Sequence, residues 1–251
     1  QGWIDVYENK GKRSGAYSWG CYGAHPYVLL NYQKTMHDVF TIAHELGHAM
    51  HSYYSNSTQP YAKAEYKIFV AEVASTVNEV LLVRHMLSTA EGERKKYLLS
   101  YLLDMFRTTV FRQTQFAEFE YEAHKMAEEG KPMSAESLCE IYKKLNDKYY
   151  ITEGVADDEL IKYEWARIPH FYNAFYVYKY STGLISALCI ADNILTNGES
   201  AVAAYKQFLK AGGSMSPVEI LKLAGVDLTG DKPYKQAMEI FNDTLRQLES
   251  L

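Results

Sequence analysis

The sequence predicts a mainly α-helical domain carrying a small antiparallel β-sheet near its N-terminus, and three observations lead there. Residues 3–32 hold three short runs rich in aromatic and β-branched side chains, separated by glycine-bearing turns. Everything after residue 34 follows helical periodicity with recognisable caps and stops, and no internal repeat or low-complexity tract interrupts it. The chain's 251 residues, 47% hydrophobic and 23% charged, suffice for a large buried core, and this composition excludes collagen-like, disordered and membrane-spanning classes.

The elements follow in order. Runs at 3–7, 16–22 and 27–32 are the strands, joined by the turns KGKRSG and GCYGAHP. Thr35 followed by Asp38 forms a capping box with Asp in place of the usual Glu or Gln, opening a helix to about residue 54. After a polar break at 56–60, helices are expected at about 63–88 and 89–129, the second long enough to be kinked or divided and stopped by Gly130 and Pro132. Ser134 caps a helix to about 150, and a loop with one short helical turn covers 151–169. Helices at about 170–196, 200–211, 217–223 and 233–248 complete the chain, punctuated by Gly198, Gly212, Gly213 and Gly225. The expectation is a single domain over 1–251, with a sheet in 1–33 and helices in 34–251.

Charge and cysteine content narrow the setting. A formal net charge of −5 without a basic run excludes nucleic acid as a main partner, because phosphate binding needs a basic face. The most apolar stretch, 171–195, is interrupted by Lys179 and Asp192, so a buried helix is expected and no membrane span. Cys21, Cys139 and Cys189 are odd in number and far apart, which fits a reducing, cytoplasmic compartment. The first residues, QGWIDVYENKGKR, show no initiator Met and no apolar signal region, so the chain is expected to be part of a longer protein. Its 22 tyrosines against 10 phenylalanines point either to half-buried packing sites or to a wet cleft lined with hydroxyls.

Residues 44–48 read HELGH within VFTIAHELGHAMHSYY. On a helix, His44 and His48 share a face about 6 Å apart and can bind one Zn²⁺, while Glu45 beside them can take a proton from water. Apolar neighbours Phe40, Ile42, Ala43, Leu46, Ala49 and Met50 bury this helix, so its charged triplet needs a partner. A catalytic zinc normally has three protein ligands. His51 is too far from His44, a rise of about 10.5 Å along the axis, and the metzincin pattern fails because His51 and Tyr54 replace its Gly and His. The next helix offers Glu65, Glu72 and Glu79 on one face. Glu72, between Phe69, Val70, Ala71, Val73 and Ala74, is the first choice, with Glu79 as the alternative ligand or as the orienter of a ligand histidine.

HELGHAMHS followed by FVAEVASTVNE resembles the oligoendopeptidase F branch of the thimet oligopeptidase family of zinc peptidases, and the resemblance covers almost the whole chain. It implies a multi-helix zincin-like catalytic domain, with His44, His48 and Glu72 as ligands of one zinc ion per chain and Glu45 as general base. Family members are considerably longer, so the resemblance also implies an N-terminal helical region of the same protein as a partner. The segment ARIPHFYNAFYVYKYSTG resembles the family's His and Tyr pair that stabilises the tetrahedral intermediate: His170 matches directly and Tyr178 aligns best, with Tyr176 and Tyr180 as competitors. YGAHPYVLLNY resembles the edge strand along which these enzymes lay an extended peptide, which places Tyr22, Gly23, Ala24 and His25 near substrate, together with Tyr176. The implied activity is a zinc-dependent metalloendopeptidase hydrolysing internal bonds of short oligopeptides. A carboxypeptidase-like zinc exopeptidase and a zinc-binding half inactive without its N-terminal region are the alternatives.

Overall fold

The computed structural model of the chain describes residues 2–150 and 158–251. Three short strands open it: β1 (Ile4–Asp5), β2 (Tyr17–Trp19) and β3 (Tyr27–Leu29). They form one sheet in the order β1-β3-β2. β3 runs antiparallel to β2, with Ser18 opposite Val28, and parallel to β1, with Ile4 opposite Val28. The sheet is therefore mixed where an antiparallel one was expected, and β3, the segment matched to a substrate-binding edge, is its central strand. β1 contributes only two residues, and pairing of strands over 20 positions apart leaves no local trace in sequence. Val28 and Leu30 turn inward and pack with Ala49 of the following helix.

The helices are α1 (Met36–Thr58), α2 (Tyr61–Ala64), α3 (Ile68–Leu87), α4 (Gly92–Met105), α5 (Arg112–Glu128), α6 (Ala135–Tyr149), α7 (Tyr178–Asn197), α8 (Glu199–Lys210), α9 (Pro217–Leu223) and α10 (Lys232–Glu249). A mainly helical chain with a small N-terminal sheet is thus what the sequence predicted. α1 starts at the expected capping box: Asp38 N–H donates to Thr35 Oγ1 at 3.2 Å, and Thr35 N–H donates to Asp38 Oδ2 at 2.8 Å. It continues through the polar stretch where a break was expected, with the Ser57 and Thr58 hydroxyls bonded to the Tyr54 carbonyl, and it ends at Gln59 before Pro60.

The long helix expected over 89–129 is divided. A turn separates α3 from α4, and six π-helical residues, Phe106–Phe111, join α4 to α5. Thr108 and Thr114 bond back to the carbonyls of Asp104 and Val110 along this stretch, which helps accommodate the widened turn. α6 carries the expected Ser134 cap. Residues 151–157 of the expected loop lie outside the described residues; 3₁₀ turns follow at Glu159–Arg167 and Pro169–Tyr172. The helix expected from 170 begins only at Tyr178, since Phe175 adopts a left-handed backbone, φ 54°, that a helix cannot contain.

Contacts divide the chain into two compact units, residues 1–103 with 183–251 and residues 104–182. The core of the first joins Val70, Val73 and Val77 of α3 to Ile190 of α7, Phe208 of α8 and Leu221 of α9. α1 crosses α3 at Gly47, where an added Cβ would lie 2.5 Å from the Ser75 Cα and 2.6 Å from the Ala74 carbonyl oxygen. A glycine inside a helix, unfavourable by propensity, is required there by backbone contact. The core of the second unit gathers Phe116, Phe119, Tyr142, Leu145, Ile168 and Val177. Glu164 is buried beside it, accepting hydrogen bonds from Tyr142 Oη at 2.5 Å, Arg112 at 2.7 Å and Arg167.

Two stability predictions follow from these contacts. Gly47→Ala should lower the free energy of unfolding by about 1–3 kcal/mol in urea titrations, because α1 and α3 must separate to admit the methyl. Tyr142→Phe leaves a buried carboxylate short of a donor and should cost about 1–3 kcal/mol near neutral pH. Burial pushes the Glu164 carboxyl up, but Tyr142 and Arg112 more than offset this and hold it below the ordinary value of 4.5. Its contribution is therefore full above about pH 4.5 and is lost as pH falls through the depressed native value. The Tyr142→Phe deficit should accordingly narrow below that pH.

Candidate metal centre

The first unit brings three predicted residues to one point. His44 and His48, one turn apart on α1, place their Nε2 atoms 3.2 Å apart with the rings nearly perpendicular, at 80°. Glu72 on α3 brings Oε2 to 3.4 Å from His44 Nε2 and 3.7 Å from His48 Nε2. One donor atom from each of the three lies within 4.8 Å of the others, so the cluster could hold a metal ion. The Gly47 crossing puts Glu72 within reach, because α3 passes α1 at backbone contact immediately beside the two histidines.

A second carboxylate faces the far side of the His44 ring. His44 Nδ1 donates to Glu79 Oε1 at 2.6 Å, which directs Nε2 toward Glu72. Tyr101 of α4, stacked on Phe40 at 4.1 Å between centroids, donates its hydroxyl to Glu79 Oε2 at 3.2 Å. Burial and the Glu79 charge push the Tyr101 phenol far up, so it remains a donor. Asn78 donates to the Ala43 carbonyl at 3.1 Å and ties α3 to α1 beside the pair. Tyr101 and Asn78 escaped the sequence reading, since neither belongs to a motif. Gly47 carried a signal in being a glycine inside an otherwise strong helix.

The electrostatics are those of a compact charge cluster. Burial would pull His44 down, but Glu72 and Glu79 outweigh it and hold it up at about 10. Burial pulls His48 down. Glu72 is pushed up by burial and, more strongly, down by the two histidines, and ends below the ordinary range. Glu45, 6% exposed, is pushed up by burial, and its Oε2 has no hydrogen-bond partner among the described residues. A cavity of about 260 Å³ borders Glu45, His44, Glu79 and Tyr101, with Ala16, His37, Phe40 and Thr41 completing its wall. His51 is fully buried, stacked on Tyr66 at 3.7 Å and 4°, and held neutral by burial at about 3.

The remaining predicted residues lie in two other places. Gly23 and Ala24 form the turn from β2 to β3, and His25 stacks on Trp3 at 5.0 Å and meets Tyr27 at a tilt, 4.4 Å between centroids. β1 and β2 are the edge strands of the sheet, and the Ser18 backbone N–H of β2 is directed to the Glu45 carboxylate. In the second unit, Tyr180 Oη lies 3.5 Å from His170 Nε2, and Tyr176 stacks on His170 at 6.0 Å and meets Tyr180 edge-on at 5.6 Å. Tyr178 opens α7, more than a third exposed.

Comparison with known proteins bears on this arrangement. The sequence matches peptidase family M3 over residues 1–240. It is 49% identical over 250 residues to oligopeptidase PepF of Bacillus subtilis, which covers 99% of this chain and 37% of that protein. It is 44% identical over 252 residues to the oligoendopeptidase F homolog of Lactococcus lactis, covering 100% of this chain and 42% of that protein. The crystal structure of oligoendopeptidase-F from Enterococcus faecium is 44% identical with a TM-score of 0.76, over 86% of this chain and 39% of that one. The crystal structure of a peptidase from Chlamydophila abortus is 50% identical with a TM-score of 0.91, over 100% of this chain and 42% of that one. The chain thus spans about two fifths of the length of these relatives. By sequence, the chain belongs to peptidase family M3.

Proposed function

We propose that the chain is the catalytic part of a zinc-dependent metalloendopeptidase that hydrolyses internal bonds of short oligopeptides. The spacing of the His44, His48 and Glu72 donor atoms carries this reading. Ligand atoms about 2.0–2.1 Å from a tetrahedral zinc stand about 3.3 Å from one another, and the observed separations are 3.2, 3.4 and 3.7 Å. Two nitrogens and one carboxylate oxygen also form a suitable donor set, which leaves a fourth position for water or substrate. Bound there, one zinc ion per chain would act as a Lewis acid toward the scissile carbonyl and the attacking water.

The chain's own groups supply the remaining functions. Glu45 accepts the proton of the attacking water at its unpartnered Oε2 and delivers it to the leaving amine. Glu79, held by Tyr101, fixes the His44 ring. His170 and Tyr178, assigned through the family resemblance, stabilise the charge that develops on the carbonyl oxygen, with Tyr176 and Tyr180 as neighbours. Substrate adds as an extended strand to the free edge of β2, next to Glu45 and the Gly23–Ala24–His25 turn; Tyr176 is assigned to substrate binding through the family resemblance alone. The partners in this reading are short peptides and an N-terminal region of the same full-length protein. A cytoplasmic location agrees with Cys21, Cys139 and Cys189 all being free.

The decisive experiment compares zinc content with cleavage of a peptide blocked at both ends, on this chain and on the full-length protein. Glu45→Ala should retain one zinc per chain and lose cleavage; undiminished hydrolysis would sink the assignment. Activity confined to peptides with a free terminus would favour an exopeptidase instead. Tyr178→Phe should lower kcat by about 100- to 1,000-fold, with Tyr176→Phe and Tyr180→Phe well above it. Glu79→Gln should weaken zinc affinity by about 10- to 100-fold in competition titrations with a chelator.

A further inference from the structure

We propose that Glu120 is a positioning residue: its buried carboxylate holds the left-handed turn at Phe175 and thereby sets the geometry of the segment from His170 to Tyr178. The inference rests on the role given above to His170 and Tyr178. Phe175 and Lys34 are the non-glycine residues with positive φ among those described, and Phe175, at 54°, stands between His170 and the start of α7. A bulky side chain in that region persists only where the surroundings hold it. The holding groups come from one face of α5. Glu120 Oε1 accepts the Phe175 backbone N–H at 2.9 Å, and His124, four residues on, packs its ring against the Phe175 ring at 4.6 Å between centroids.

Glu120 is 4% exposed, and its Oε2 has no hydrogen-bond partner among the described residues. A carboxyl group buried this deeply is unfavourable unless it is satisfied; it accepts the Phe175 N–H, with His124 and Lys179 as nearby positive groups. Release of that N–H lets Phe175 move to negative φ, which redirects the chain between Ala174 and Tyr176. Tyr176 and Tyr180 would then leave the aromatic cluster they form with His170, in which the rings lie 5.6–6.0 Å apart. Tyr178, between them in sequence, would move too.

The test uses zinc-loaded full-length protein and reads kcat and KM separately. Phe175→Pro lacks the N–H and fixes φ near about −65°, and the side chain it removes is 48% exposed. Phe175→Pro and Glu120→Ala should each lower kcat by about 10-fold or more with KM within about twofold. Glu120→Gln keeps the accepting oxygen and should stay within about threefold of the parent. Adding Phe175→Gly to Glu120→Ala should restore most of the loss, since glycine adopts positive φ freely. Unchanged kcat in Phe175→Pro, equal losses in Glu120→Gln and Glu120→Ala, or a lowered melting temperature with kcat unaltered would each overturn the proposal. His170→Ala, assayed in parallel, separates the two layers: full activity there overturns the reading of the segment itself, whereas its loss beside an intact Phe175→Pro overturns only the role of Glu120.

Discussion

The backbone contact between α1 and α3 at Gly47 is the constraint on which the proposed site depends. The histidines of α1 are one turn apart and need no tertiary contact to face the same way. Glu72 belongs to another helix, and a carboxylate side chain is short. Its oxygen reaches both imidazoles because Gly47 has no side chain to hold α3 away, so the Ser75 Cα can approach as it does. The same crossing aligns Glu79 with the outer nitrogen of His44 and Asn78 with the Ala43 carbonyl. Residues 72, 78 and 79 thus all act on one turn of α1, and a single glycine serves the core and the chemistry together.

Burial and charge explain why this cluster is held so tightly. Two imidazoles and three carboxylates in a partly dry region would destabilise the fold if left unpaired. Glu72 and Glu79 are paired through His44, and Tyr101 supplies Glu79 with a further donor. Glu45 is the exception, with one carboxylate oxygen buried and unpartnered beside a cavity. A group left unsatisfied among satisfied neighbours is the one available to take up a proton from outside, and this asymmetry separates the role proposed for Glu45 from those of Glu72 and Glu79.

Most of the helical architecture was legible in sequence because it is encoded locally. The capping boxes at Thr35 and Ser134, the stop after Glu129 and the short helix at Pro217 are read from residues within one turn of each boundary. The errors are non-local or arise from backbone geometry. The sequence offered no cue that β1 would pair in parallel with β3 and leave β2 at the edge, because such short strands show no pattern of their own. Nor did it mark Phe175 as left-handed, since that conformation depends on Glu120, 55 residues earlier. In the candidate metal centre, the HELGH spacing and the apolar flanks of Glu72 were sufficient to bring out three residues. Tyr101 could not be found that way: it lies on an ordinary amphipathic helix and acquires its partner only through packing on Phe40.

The tyrosine excess gains a physical sense from the two clusters. In the first unit Tyr101 orients a carboxylate, Tyr66 covers the buried His51 ring, and Tyr205 packs on Phe208, so each ring fills apolar space while its hydroxyl keeps a hydrogen-bond partner. In the second, Tyr176 and Tyr180 surround His170, and Tyr142 serves the buried Glu164. Phenylalanine would pack equally well at most of these positions but would leave Glu79 and Glu164 short of a donor. Among the described residues Glu45, Glu120 and Glu164 are buried while no Lys or Arg is, so neutral donors are needed. Tyrosine provides them at sites too apolar for lysine, which explains part of the surplus by electrostatics rather than by a wet cleft alone.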